Sequence, residues 1–153
     1  QIILVPKVDI KRLEGFIKRE GKWVVNIRSA RNVLLGENSV YAFPEVRPNK
    51  NIVRKDEVLA RTTFNLKDLT VKSFRNRINL LLASTLAKVK RRGSLASSLQ
   101  FNASAIANLS KQLNDKSEGI VEIEVIALRS SDTADPVSII LQERINSSQD
   151  STK

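Results

Sequence analysis

The sequence predicts an α+β fold: an antiparallel sheet drawn from a β-rich N-terminal half and a C-terminal hairpin, with two consecutive helices in between. Three observations carry that expectation. Apolar residues alternate with polar ones through much of residues 22–65. From Val71 to Val89 the period changes to i, i+3/i+4. From Ile120 the alternation returns and runs into a turn and a second apolar segment. The β segments of the first half follow one another too closely for helical crossovers, which favours antiparallel pairing.

Taken in order, Ile2–Val5 is a short apolar run ended by Pro6 and reads as a strand or an anchoring arm. Asp9 then reads as the N-cap of a helix over Ile10–Glu20, with Ile10, Leu13, Phe16 and Ile17 inward and Gly21 as its stop. A two-stranded reading competes there, because Gly15 in mid-helix costs about 1 kcal/mol. Lys22–Arg28 alternates, with Trp23, Val25 and Ile27 on one face. Val33–Leu35 ends a strand before the turn Gly36-Glu37-Asn38, and Ser39–Val46 forms another, at an edge because of Pro44. Arg47–Asn51 is a loop, and Ile52–Asn65 a strand or a hairpin broken at Asp56-Glu57.

The stripe Val71, Phe74, Ile78, Leu81/Leu82, Leu86 and Val89 is a helix of about five turns. Asp68 or Thr70 caps it and Gly93 stops it. A small, polar linker over 93–100 leads to a second helix from about Asn102 to Asn114, with Ile106, Leu109 and Leu113 inward. Ile120–Leu128, the turn Ser130–Pro136 and Val137–Ile145 make the C-terminal hairpin. One domain over 1–146 and a flexible tail over 147–153 complete the expected organisation.

Composition narrows the chemistry. The chain has no His, Cys or Met and a formal net charge of +10. The usual neutral-pH base, thiol nucleophile and soft metal ligands are therefore missing. No Ser-x-x-Lys, Gly-x-Ser-x-Gly, P-loop or dinucleotide fingerprint occurs, so a non-enzymatic protein is expected, with no cofactor and no metal. The longest apolar runs fall far short of the roughly 18 residues of a membrane span, and no stretch reads as a signal peptide. Charge is uneven: residues 1–114 carry 22 Lys/Arg against 8 Asp/Glu, and residues 115–153 carry 4 against 8. A basic body with an acidic end suits polyanion binding or self-assembly.

The densest cations close the long helix: Lys88, Lys90, Arg91 and Arg92. Four within five residues exceed what the helix dipole needs, since that effect fades within a turn. They are the expected phosphate contacts, with Arg54, Lys55, Arg75 and Arg77 as a second tier. Trp23, Tyr41 and Phe43 lie among the basic strands and could stack bases, although a chain so poor in aromatics has reason to spend them on its core. Arg91-Arg92-Gly93-Ser94-Leu95 resembles a basophilic kinase substrate, with the serine accessible just past a helix end. Glu122 and Glu124 share a strand face, where cross-strand pairing with Arg129 or Arg144 outweighs metal binding.

The expected function is electrostatic nucleic-acid binding with self-assembly, as in a virion coat or packaging protein or a nucleoprotein subunit. The alternative is a structural assembly module without nucleic-acid contact. Expected partners are nucleic acid, RNA ahead of DNA, and further copies of the chain, with no membrane and no small-molecule substrate. The expected location is a virion or the cytoplasm.

Overall fold

The computed structural model describes residues 2–32, 36–116 and 118–144. The fold is mixed α+β, and it divides into two compact units, Gln1–Lys50 and Asn51–Lys153, where the sequence suggests one domain over 1–146. Val33–Leu35, Ile145 and the expected tail lie outside the described residues.

The first unit holds β1 (Ile2–Leu4), α1 (Lys7–Ile17), β2 (Trp23–Ser29) and β3 (Ser39–Pro48). Its three strands run in the order β1-β3-β2. β2 and β3 are antiparallel, whereas β1 lies parallel to the start of β3. The helix begins at Lys7, earlier than expected. Pro6, with φ already preset, offers its carbonyl to the amides of Asp9 and Ile10, so Asp9 sits in the first turn and does not cap. The helix also ends at Ile17, short of Gly21. Only Leu13 and Phe16 of its apolar side chains are half-buried, while Ile10 and Ile17 are exposed. Phe16 meets Trp23 at 6.0 Å between ring centres, and the Trp23 indole donates to the Arg19 carbonyl at 3.2 Å.

Strand β3 lies centrally in this sheet, which corrects the expected edge position of Pro44. The local physics still holds. The Ala30 amide bonds the Tyr41 carbonyl and the Asn49 amide the Lys22 carbonyl, so odd-numbered residues of β3 bond to β2 and Pro44 turns its missing N–H the other way. On that side β1 has already ended, opposite Tyr41. β3 also runs on through Arg47 and Pro48, shortening the expected loop to Asn49 and Lys50.

The second unit holds β4 (Asn51–Val53), β5 (Val58–Asn65), a single 3-10 turn (Leu66–Asp68), α2 (Val71–Arg91), β6 (Leu99–Gln100), α3 (Ala103–Asn114), β7 (Ile120–Ala127), β8 (Ser131–Asp132) and β9 (Val137–Glu143). Four strands form a sheet in the order β5-β7-β9-β6, and β4 pairs with β8. The hairpin β7–β9 and the pair β5–β7 are antiparallel, but β6 joins β9 in parallel. The expectation of a purely antiparallel sheet is therefore corrected at two places, β1 and β6. The expectation of two consecutive mid-chain helices is corrected as well: α1 lies between β1 and β2 of the first unit, and β6 separates α2 from α3. Residues 54–57 do form a break, with Asp56 at φ 63°, yet β4 and β5 pair with different strands and make no hairpin.

Helix α2 is built as its sequence suggests. Thr70 and Ser73 cap each other's backbone amides, and Phe74, Ile78, Leu81, Thr85 and Val89 are buried. Val71 is exposed instead, and the stripe includes Thr85, whose hydroxyl donates to the Leu81 carbonyl at 2.7 Å and so carries no unmet polar group inward. These side chains meet Leu59, Phe64, Val121, Ile123, Val125, Val137 and Ile139 of the sheet and Leu109 and Leu113 of α3 in one core.

Candidate nucleic-acid interface

The C-terminus of α2 gathers most of the expected phosphate contacts. Gly93, at φ 108°, closes the helix: its amide bonds the Lys90 carbonyl and the Ser94 amide bonds the Val89 carbonyl, the paired bonds of a Schellman stop. Arg92, the capping residue, reaches back to the turn before β5. It donates to the Ile52 carbonyl at 3.2 Å and to Glu57 Oε1 at 2.7 Å. Glu57 Oε2 in turn accepts the Arg54 amide at 3.1 Å. These bonds bring Arg54 and Lys55 to the same end of the unit as Lys88, Lys90, Arg91 and Arg92. Residues 54–57 and 88–92 bring six cations and two carboxylates, Asp56 and Glu57, to this end, and the turn 129–135, tied there by the Lys55–Ser130 and Leu95–Thr133 bonds, adds Arg129, Asp132 and Asp135.

The six do different work. Lys88 donates to the Leu59 carbonyl at 2.7 Å and is partly buried. Arg92 is occupied as described. The side chains of Lys90, Arg91, Arg54 and Lys55 are exposed and meet no partner among the described residues. At 100° per residue, Lys88 and Arg92 fall beside or on the buried stripe, whereas Lys90 and Arg91 point away from it. That wheel position is the signal in the sequence that separates the two pairs.

Of the second tier, Arg75 and Arg77 stand about 20 Å from this end along α2, given 1.5 Å per residue. Arg77 donates to the Thr63 carbonyl and lies over the Phe64 ring at 5.4 Å. The Leu66–Gly119 bond fixes which residues of β5 face β7, and Thr63 falls on the opposite, outer edge of the sheet. Arg77 and Lys88 thus occupy carbonyls of an edge strand that would otherwise stay open to another chain. Arg75 is exposed on the flank facing α3.

Burial pushes the Glu57 carboxyl up, but the Arg54 amide and the Arg92 and Lys88 charges outweigh it and hold Glu57 below its ordinary 4.5. A lowered folded value adds stability above that pH and loses it as pH falls through the folded value. Glu57→Gln should therefore flatten the acid limb. Thermal melts from about pH 6 to pH 3 should show a wild-type advantage of at most about 1 kcal/mol that disappears toward the acid end.

The first unit offers a different surface. Tyr41 and Phe43, two apart on β3, share the face turned away from the buried Val40 and Ala42. They are 55% and 40% exposed, so the sheet face is open and these rings are not spent on a core. Arg28 lies directly across from Phe43. Arg28 and Arg47 both pair with Glu45, whose carboxyl the Arg47 hydrogen bonds hold below its ordinary value. Arg31 pairs with Glu37 at 3.4 Å.

Two other sequence candidates take structural roles. Ser94 is buried beneath the helix stop and its hydroxyl accepts from the Ala96 amide, so the accessible kinase-type serine is not formed. Glu124 is also buried, and with Glu122 it pairs with Arg61 across β5 and with Arg144 at distances down to 2.9 Å. Arg129 instead reaches Gln100, and Glu143 pairs with Lys116.

Residues 53–149, well over half of the chain and all within the second unit, match the model of the DUF3084-associated C-terminal helical hairpin. The chain belongs to that family. The hairpin match takes in both α2 and α3 together with β5, β7 and β9. The chain is also similar to alr4393, an uncharacterized protein of Nostoc sp. (strain PCC 7120), at 29% identity over 140 residues. That alignment covers 88% of this chain and 27% of the Nostoc protein, so the chain spans about a quarter of its relative's length. No solved structure matches the chain. Among the described residues, no helix is long and apolar enough to cross a membrane.

Proposed function

We propose that this chain is a non-enzymatic nucleic-acid-binding protein that grips the phosphate backbone with the cationic end of its second unit. The observation that carries this reading is the convergence of Lys90, Arg91, Arg54 and Lys55, all exposed and without partners among the described residues, around the end of α2. The negative end of the helix dipole adds no anion there that would neutralise them fully, since it amounts to about half a charge. Contacts of this kind carry no sequence preference. On the first unit, Tyr41 and Phe43 offer a stacking surface of their own, which favours single strands, and single-stranded RNA is the first ligand to test, with single-stranded DNA beside it.

Fluorescence anisotropy of labelled single-stranded RNA and DNA at several salt concentrations tests the reading. Binding that weakens linearly on a log–log salt plot, with little dependence on sequence, is the expected result. Affinity confined to one sequence, or none at all at low salt, would overturn it.

A second reading, an assembly module without nucleic acid, is favoured by the first unit. Among its described residues only Val40 and Ala42 of the apolar ones are buried, while Ile2, Ile3, Val8, Ile17 and Ile27 are each more than half exposed. So much apolar surface suits contact with another chain. A coat, packaging or nucleoprotein role would combine this surface with the cationic end, and light scattering with absorbance at 260 and 280 nm separates the two readings.

A further inference from the structure

Helices α2 and α3 do not close on one another along their outer sides. Between them runs a groove of about 550 Å³, within the range of small-molecule sites, which run roughly from 300 to 1,000 Å³. Its floor is apolar, made by Phe74, Ile78, Leu82 and Ile106, and it extends from Val71 to Leu82 of α2, about 16 Å at 1.5 Å per residue.

The groove is polarised along its length. Arg77 on Thr63 and Lys88 on Leu59 show that α2 runs antiparallel to β5, and hence alongside β7 in the same direction. β6 on the start of β9 and Lys116 on Glu143 show that α3 runs the opposite way. Arg75, near the start of α2, and Lys111, in the last turn of α3, therefore lie at one end of the groove, while Leu82 and the start of α3 lie at the other. Neither cation has a partner among the described residues. Arg75 and Lys111 are the charged residues of its lining, and the floor between them and Leu82 is apolar, which suits an anionic head with an apolar tail.

We infer that the groove binds a single-chain anionic amphiphile of the fatty-acid class, with its carboxylate between Arg75 and Lys111 and its acyl chain along Phe74, Ile78, Leu82 and Ile106. The site shares no residue with the four phosphate contacts proposed at the end of α2, although it takes up Arg75 from the wider set expected from sequence, and it stands or falls independently of those four.

Isothermal titration of the full chain with dodecanoate, below its micellar concentration, tests this. Saturable binding at one site per chain is expected, weakened at least tenfold in Arg75→Glu/Lys111→Glu, with dodecyltrimethylammonium not bound at the site. Ile106→Trp fills the groove and should abolish dodecanoate binding while leaving the thermal melt and oligonucleotide affinity in place. Absence of saturable binding, equal affinity of the charge-reversed variant, equal binding of the cationic amphiphile, or retention only of anionic phospholipid vesicles would each overturn the proposal.

Discussion

Replacing Lys90, Arg91, Arg54 and Lys55 together by alanine should abolish most nucleic-acid affinity and leave the fold intact. Each single-strand phosphate contact contributes about 0.7 to the slope of log K against log salt. Losing four should flatten the slope by about 3 if all four touch phosphate. Their side chains hold nothing in the fold, so the thermal melt should move little. The complementary pair behaves in the opposite way. Lys88→Ala uncovers the partly buried Leu59 carbonyl, and Arg92→Ala releases both the Ile52 carbonyl and Glu57. Hydrogen bonds from charged donors are worth about 1.5–3 kcal/mol when shielded, and solvent access at Arg92 puts its share toward the low end. For a unit of this size about 1 kcal/mol moves the melting temperature by roughly 4–8 °C. Melts and anisotropy on both variant sets check the division. If the quadruple variant unfolds, or the Lys88/Arg92 pair changes only binding, the assignment of structural and ligand-facing cations fails.

The second large effect concerns the open sheet face. Tyr41→Ala and Phe43→Ala should each weaken single-stranded oligonucleotide binding by roughly 5- to 150-fold, the range of about 1–3 kcal/mol measured for base–aromatic stacking. Neither change should alter the salt slope, because stacking releases no counterions. Both rings are far from buried, so the first unit should keep its fold. A loss that appears equally with duplex DNA would argue against stacking, since paired bases present no free face to the rings. Retained RNA affinity in the double variant, combined with loss of a light-scattering oligomer, would assign this face to self-association instead.

Local chemistry made the two helices of the second unit legible. The Phe74-Ile78-Leu81-Val89 stripe, Thr70 before it and Gly93 after it define α2 without reference to anything distant, because capping and the 3.6-residue period are properties of neighbouring residues. The same holds for Asn102 and α3, whose first amides bond the Asn102 side chain. The β7–β9 hairpin was equally open to reading, since alternation and a turn identify two strands that are close in sequence.

Pairing partners were not legible. β1 against β3, and β6 against β9, are parallel contacts between short segments distant in sequence, and nothing in Ile2–Leu4 or Leu99–Gln100 specifies a partner's direction. The break at Asp56 was visible, but whether β4 turned back on β5 or left for β8 depended on residues nearly eighty positions away. Burial on the second face of a strand was likewise hidden. Val-Glu-Ile-Glu-Val reads as half-exposed, yet Glu124 is enclosed because Arg61 of β5 and Arg144, just past β9, converge on it.

By itself, then, the sequence determined α2 and α3 with their caps, the hairpin, the cationic surplus and the absence of histidine and cysteine chemistry, but not the bounds or cap of α1. Each of these is set by composition or by residues within a few positions of one another. Helix phase already sets Lys88 and Arg92 beside the packed side of α2 and Lys90 and Arg91 away from it, and tertiary structure alone decided which groups take up the packed cations. Lys88, Arg92 and Arg77 are taken up by carbonyls and a carboxylate on β4, β5 and the turn between them, while Lys90 and Arg91, one or two residues away, are not. The physical reason is that a charge is neutralised or left exposed by what folds against it, and those partners come from 14 to 40 residues away in the chain.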